Sequence, residues 1–308
     1  MRLRLRTLLL GAFAAGGGYW LWRYLQPERS TLVLNDSVVI ITGASSGIGR
    51  AYAQGFARRG AKVVLAARRA EVLEEVRSEI EPYAADVLVV PTDIRKDSQL
   101  RALVSKTLKK FGRIDIVVNN AGLAMHGPLQ GEPLDQIRAL VDTNLSSAMA
   151  LTALCLPTML SQRSGWIVNI SSMAGLMEMP FHVVYGPVKR GLISFSDTLR
   201  RQLDGTGIEV VSVLPTYTDT ELVTSETRQW LHKTGFSIDT PQYVVERTLD
   251  GMLKHRHNVL FGGQVTAISL WFHRHFPRLG DLGVRAFMTP EVMALNDDTL
   301  PEVEGENA

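Results

Sequence analysis

The stretch that most constrains this chain runs from Val38 to Arg59. Val38 to Ile41 is a short β-branched run, Thr42-Gly43-Ala44-Ser45-Ser46-Gly47-Ile48-Gly49 follows it directly, and an amphipathic segment, Arg50 to Arg59, comes next. A strand, a glycine-rich turn and a helix in that order bring backbone N–H groups and a helix start to one place, where they can hold a phosphate. The spacing G-x-x-x-G-x-G departs from the G-x-G-x-x-G dinucleotide fingerprint, so the general rule alone leaves the ligand open.

A second stretch, Ser171 to Lys189, suggests chemistry. Tyr185 and Lys189 stand four apart, which puts them on one face of a helix. A free tyrosine has a pKa of about 10 and exchanges protons poorly near neutrality. A positive charge about 4 Å away at an effective dielectric of about 20 is worth roughly 4 kcal/mol, enough to lower that pKa by about three units. Pro187 is tolerated only in a first helical turn, so the helix should begin near Tyr185, and its positive end would also favour a phenolate. Taken alone, a Tyr and a Lys at this spacing also occur by coincidence on ordinary surfaces.

The amino end differs from the rest. Arg2, Arg4 and Arg6 precede an uncharged run from Thr7 to Trp22, with Tyr19, Trp20, Trp22 and Tyr24 near its far end. A basic lead, an apolar centre and an aromatic belt are marks of a membrane segment. The run would cover roughly 24 Å of a hydrocarbon core of about 30 Å, with arginines snorkelling to make up the difference. We read a retained anchor here, with an interfacial helix or a cleaved signal as competing readings. The charge balance leaves its orientation nearly open, with a slight excess that favours the amino end in the cytoplasm.

The remainder, about 280 residues, suits one large core. A formal net charge of +2, with the basic residues dispersed, gives no case for nucleic-acid binding. The single cysteine, Cys155, cannot form an internal disulfide and reads as a small buried hydrophobe. His255 with His257 and His273 with His275 point apart at i, i+2 on a helix and lack supporting carboxylates, so no metal is expected. The expected organisation is an anchor and linker over 1–30, one domain over 31–263, an amphipathic extension over 264–295 and an acidic tail over 296–308.

The Thr42–Gly49 turn, Asn119-Asn120-Ala121-Gly122 after an apolar strand Ile114 to Val118, Ser172, and Tyr185-x-x-x-Lys189 together resemble the short-chain dehydrogenase/reductase family. The likeness runs from about Asp36 to about Gly262 and its motifs stand in family order. It implies an α/β fold, a Rossmann-type doubly wound parallel sheet in a single domain, here behind the amino-terminal hydrophobic anchor. It also implies a catalytic set: Tyr185 exchanging a proton with the substrate oxygen, Ser172 holding that oxygen, Lys189 binding the nicotinamide ribose, and Asn144 positioning a water beside Lys189. Ser172 is preferred to Ser171 because it stands thirteen residues before Tyr185, the usual family spacing. For the cofactor the resemblance implies Gly43, Ser45, Ser46, Gly47, Ile48 and Gly49 at the phosphates, Asp93 beside the adenine, and Asn119, Ala121 and Gly122 along the crevice. Tyr185, Lys189, Pro215 and Thr220 would meet the nicotinamide end.

The second strand, Lys62 to Ala67, should end over the adenosine ribose. NAD-selective sites place an acid there, whereas an arginine accommodates a 2′-phosphate; here Ala67 is followed by Arg68 and Arg69, which argues for NADP(H). One departure from the family is Pro215-Thr216 in place of Pro-Gly, and threonine resists the positive φ that glycine allows. Helices are expected over Leu134 to Leu160 and Gln242 to Lys254, with a last strand at His257 to Phe261. The stretch from Tyr217 to Pro241, with Leu222, Trp230, Leu231 and Phe236, would cover the substrate. Beyond it, Val265, Ile268, Leu270, Trp271, Phe272 and Phe276 alternate with His273, Arg274, His275 and Arg278, as in a helix that rests on a membrane or packs on its own domain.

The expected function is NADP(H)-dependent interconversion of a hydrophobic ketone or aldehyde and its alcohol, in a membrane-associated protein for which the resemblance also implies a homo-oligomer. The alternative from another class is a nucleotide-binding scaffold or sensor without turnover. An epimerase or dehydratase on a related fold fits the turn spacing less well.

Overall fold

A computed structural model describes residues 32–287 apart from 224, 235 and 236. The proposed anchor, Phe236 and the acidic tail lie outside the described residues.

Seven parallel strands form one sheet in the order β3-β2-β1-β4-β5-β6-β7. The strands are β1 (Val38–Thr42), β2 (Lys62–Ala67), β3 (Asp86–Pro91), β4 (Ile116–Asn119), β5 (Gly165–Ile170), β6 (Ile208–Leu214) and β7 (Asn258–Leu260). The helices are α1 (Gly47–Ala57), α2 (Ala70–Ile80), α3 (Asp97–Phe111), α4 (Leu134–Val141), α5 (Ser147–Gln162), α6 (Tyr185–Gln202), α7 (Ser225–Thr234), α8 (Pro241–Leu253), α9 (Gly263–His275) and α10 (Pro277–Phe287). Strands covered by helices on both faces lose the polar half of the usual alternation, which is why β1 reads Val-Val-Ile-Ile. The pleat still sorts them. Val39, Ile41, Val63 and Leu65 pack with Tyr52 and Phe56 of α1 and Leu249 of α8. Val38, Ile40 and Val64 pack on the other face with Leu103 of α3 and Leu151, Cys155 and Met159 of α5. The strand order reverses between β1 and β4, and in open α/β sheets that switch point opens a crevice at the strands' carboxyl ends.

Two expected elements differ in detail. The helix expected over Leu134 to Leu160 is interrupted by a π turn at Asp142–Ser146, which contains Asn144. This helical stretch, 134–162, is the one among the described residues long and apolar enough to cross a membrane; Leu151, Cys155 and Met159 bury one side of it in the core. The loop after β6 also carries more order than its polar composition suggests. Thr218 pairs with Asp239 as an isolated bridge, and Arg228 of α7 donates to the Asp219 carboxylate and, at 3.1 Å, to the Thr220 carbonyl.

Candidate active site

The floor of the crevice is made of backbone. Gly43 and Gly47 take φ of +65° and +50°, which lets the chain turn from β1 into α1. Gly49 lies so close beneath that a Cβ there would sit 2.1 Å from the Gly43 carbonyl oxygen. The next strand's loop is tied to this turn: Thr42 Oγ1 accepts from the Asn120 and Ala121 N–H groups at 3.0 and 3.1 Å, and Asn120 Nδ2 donates to the Thr42 carbonyl at 2.9 Å. Asn119, expected to line the crevice, turns its side chain into the interior, donating to Thr152 Oγ1 and Asn169 Oδ1 at 3.1 and 2.7 Å. Asn120 takes its place at the turn.

The start of α1 is suited to an anion. Ser46, its N-cap, is extended and makes no side-chain capping bond, and the first turn holds no acidic residue. The orphan N–H groups of a helix start, with the dipole behind them, then face outward. Ser45 stands beside them with its hydroxyl 3.5 Å from Arg69 Nη2. Ala67 is nearly buried at the end of β2, while Arg68 and Arg69 are exposed at the rim. Asp93 is held by its neighbours: its N–H donates to Gln99 Oε1 at 2.6 Å and its carboxylate takes Arg95 Nη2 at 3.1 Å, which lowers its pKa. Thr220 reaches the same turn from β6, its methyl 3.0 Å from where a Gly47 Cβ would lie. The donor set and the space left by the glycines therefore fit a nicotinamide dinucleotide.

Thr216 departs from the family without strain. Its φ is not positive, and its hydroxyl donates to Asp239 Oδ2 at 3.2 Å. The Pro215 carbonyl accepts from the Met173 N–H at 2.9 Å, tying this loop to the end of β5.

The side chains expected to be catalytic converge where α6 begins, at Tyr185, as Pro187 in its first turn requires. Ser172 stands close enough to the Tyr185 hydroxyl to favour its ionised form, and Ser172 Oγ accepts from the Ala174 N–H at 3.1 Å. Ser171, its neighbour, donates instead to the Lys189 carbonyl at 2.8 Å and so fastens α6 to the sheet. Lys189 Nζ is buried, 5.6 Å from the Tyr185 ring centre, and donates to the Ile170 carbonyl at 2.9 Å. Asn144 exchanges two hydrogen bonds with the backbone of Leu123, at 2.7 and 2.8 Å. Gly122 sits at the junction: a Cβ there would be 3.2 Å from Asn144 Oδ1 and 3.6 Å from Lys189 Nζ.

The electrostatics differ from the sequence-based expectation. Burial pushes Tyr185 up to about 12, with the neighbouring Ser172 hydroxyl pulling the other way, and burial brings Lys189 down to about 8. The ammonium is directed to the Ile170 carbonyl, so desolvation outweighs its pull on the phenol. The phenol is thus protonated at neutral pH. Three aromatic groups outside the expected catalytic set border it, of which only Tyr217, at the start of the stretch expected to cover the substrate, was named from the sequence. Tyr217 is pushed up to about 12 by burial, then by Tyr185. The His126 and His182 ring centres lie 6.5 and 5.5 Å from that of Tyr185. No local pattern announces either histidine.

The short chain dehydrogenase family matches residues 37–230. The chain is 37% identical to the ketoacyl reductase HetN of Nostoc over 211 residues, covering 68% of this chain and 73% of that one. It is 31% identical to dehydrogenase/reductase SDR family member 7B of Mus musculus over 283 residues, 89% of this chain and 88% of the relative. Among solved structures it resembles a short-chain dehydrogenase from Sphingobium yanoikuyae in complex with NADPH, at 29% identity and a TM-score of 0.67, covering 80% of this chain and 95% of the other. A short-chain dehydrogenase/reductase from Burkholderia phymatum in complex with NAD shares the fold at 24% identity and a TM-score of 0.73, covering 81% of this chain and 96% of that one.

Proposed function

The chain belongs to the short-chain dehydrogenase/reductase family of oxidoreductases, and from that premise we propose that it is an NADPH-dependent reductase of hydrophobic ketones or aldehydes, with Tyr185 as general acid. The observation that carries this reading is the convergence of Ser172, Tyr185 and a buried Lys189 at the start of α6.

Gly43, Ser45, Ser46, Gly47, Ile48 and Gly49 would hold the pyrophosphate, Arg69 with Arg68 the 2′-phosphate, and Lys189 the nicotinamide ribose. Asp93, Ala121, Gly122, Pro215 and Thr220 would complete the crevice. Bound there, the reduced nicotinamide supplies a hydride to the carbonyl carbon. Tyr185 gives the hydroxyl proton to the carbonyl oxygen, and Ser172 donates a hydrogen bond to that oxygen as negative charge develops on it. The Lys189 ammonium then stabilises the phenolate left behind until a proton returns. A phenol held near pKa 12 when the pocket is free is fully protonated at neutral pH, which is the form the reductive direction needs. The Sphingobium relative carries NADPH and the Burkholderia relative NAD, so cofactor preference rests on the arginines and on Ala67 at the acid's position.

Membrane association belongs to the same reading. The amino-terminal run would anchor the chain, and Ile268, Trp271, Phe272 and Phe276 of α9 and its end are exposed, an apolar surface suited to an interface. A lipid-facing crevice would meet hydrophobic carbonyl compounds.

The test is detergent-solubilised full-length protein with NADPH and a panel of lipidic ketones, followed at the absorbance of the reduced cofactor. Turnover should fall at least about a hundredfold in Tyr185→Phe, which keeps the ring and removes the proton. Near-normal turnover in that variant would remove the mechanism, and cofactor binding without turnover on any substrate would favour a nucleotide-binding scaffold. Recovery of the protein in the supernatant after lysis and ultracentrifugation at low and high salt would remove the membrane assignment.

A further inference from the structure

A histidine pair stands beside Tyr185 that neither the motifs nor the reaction above uses. His126 lies in the loop after β4 and His182 in the loop before α6. Backbone bonds join the two loops: the Gly127 N–H donates to the Phe181 carbonyl at 3.0 Å, and Gly127 bridges His182. His182 Nε2 and His126 Nδ1 are 3.0 Å apart, and Phe181 packs edge-on against His182 with ring centres 4.5 Å apart. Met125, next to His126, is buried with Leu140 and Val188, whereas His126 itself stays partly exposed.

Hydrogen-bond satisfaction places the protons. Burial, with His126 alongside, brings His182 down to about 3, and burial lowers His126, so both rings are neutral at pH 7 and each carries one N–H. His182 Nδ1 is buried without a hydrogen-bond partner. Were His126 Nδ1 the donor, the His182 proton would sit on that orphan atom, and buried N–H groups without acceptors are rare. His182 Nε2–H therefore donates to His126 Nδ1, which leaves the His126 proton on Nε2. That nitrogen has no partner among the described residues.

We propose that His126 Nε2–H donates to a second oxygen of the substrate, so that the enzyme selects carbonyl compounds with an acceptor oxygen near the reacting carbonyl, 3-oxo esters and hydroxyketones being the class. His182 is the positioning residue, since it fixes the His126 tautomer. This inference rests on the carbonyl-reductase reading above.

The test uses full-length, detergent-solubilised enzyme at saturating NADPH. Values of kcat and KM are measured for a medium-chain 3-oxo methyl ester and for the ketone in which methylene groups replace the ester. The wild type should favour the oxo ester by at least about tenfold in kcat/KM, carried mainly by KM. His126→Phe keeps a planar ring and removes the donor; it should abolish the preference, the oxo ester losing at least about tenfold more in kcat/KM than the plain ketone, and retain NADPH affinity. His126→Gln, which keeps an N–H donor, should restore most of the preference. Equal loss on both substrates, or an unchanged preference in His126→Phe, overturns the inference. Turnover of the plain ketone with no oxo-ester preference in the wild type overturns this inference alone, and that comparison stands whether or not a variant folds. Turnover of neither substrate by the wild type overturns the carbonyl-reductase reading, and this inference with it.

Discussion

The two ends of the crevice are built from different materials. The nucleotide end is backbone held to backbone: a turn whose glycines leave no room for a side chain, welded through Thr42 to the loop after β4. The substrate end is side chain against side chain, with His126 from the loop after β4, Tyr217 from the loop after β6, His182 from the loop before α6 and Tyr185 from the start of that helix. A site made of backbone cannot change its shape without remaking the fold, so one nucleotide end can serve many reactions. A site made of side chains can be rewritten residue by residue. The contrast predicts that small substitutions will be severe at one end and graded at the other.

The largest effect should come from Gly49→Ala. Its Cβ would lie 2.1 Å from the Gly43 carbonyl oxygen and 2.5 Å from Asn120 Nδ2, and the first of these is backbone that cannot swing away. The expected cost is ~3 kcal/mol or more, a fall in Tm of about 6 to 12 °C, together with loss of most NADPH affinity. Gly131→Ala, in the loop after β4, meets no atom within 4 Å and should stay within about 0.5 kcal/mol of wild type. Equal melting temperatures and equal NADPH titrations for the two variants would erase the contrast.

An intermediate effect is expected where the nucleotide end does use side chains. Arg69→Ala removes the guanidinium that reaches toward Ser45 across the mouth of the turn. A charge-assisted contact to a 2′-phosphate is worth about 1.5 to 3 kcal/mol, so the ratio of catalytic efficiencies with NADPH and NADH should drop at least about tenfold, with the KM for the carbonyl substrate unchanged. A wild-type preference for NADH, or an unchanged ratio in both Arg69→Ala and Arg68→Ala, would remove the phosphate assignment and leave the arginines as part of the solvated start of α2.

How much of this was legible in the sequence follows the same division. The bounds of β2 match the expected Lys62 to Ala67, and Pro187 placed the start of α6, because each depends on sterics within a few residues. Asn119 was readable in principle. Along β4, Ile116 and Val118 share one face and Val117 the other, so Asn119 follows Val117 toward α5, where Thr152 waits; period two alone turns it away from the crevice. Thr216 looked awkward only against a family pattern, and its own φ removes the difficulty. The π turn around Asn144 and the His126–His182 pair carried no such signal. Each depends on a partner far along the chain, His182 being 56 residues beyond His126. The depressed tyrosine pKa expected from Lys189 failed for a related reason, since spacing on a helix says nothing about the carbonyl that captures the ammonium.

The smallest predicted effect tests whether the substrate end is as dry as its geometry implies. His182 is neutral in the folded protein down to a pKa of about 3, whereas in the unfolded chain an imidazole titrates near 6.5. Between those values the unfolded state binds more protons, so stability rises with pH across that window and falls on acidification below about 6.5. Below that pH the slope approaches ~1.4 kcal/mol per pH unit, or about 3 to 6 °C in Tm for a domain of this size. The groups facing His182 are His126, Phe181 and Tyr185, and none of them supplies a negative charge at these pH values. His182→Asn keeps a donor toward His126 and does not titrate. Thermal melts of wild type and variant between pH 7.5 and pH 5 should therefore diverge, with the wild type losing stability more steeply toward acid. Most carboxylates remain ionised over that range, and the exposed histidines contribute equally to both proteins. Parallel melting curves would mean that His182 takes up its proton in the folded state, which requires water at the pair, and the substrate end would then be as wet as the rim where Arg68 and Arg69 stand.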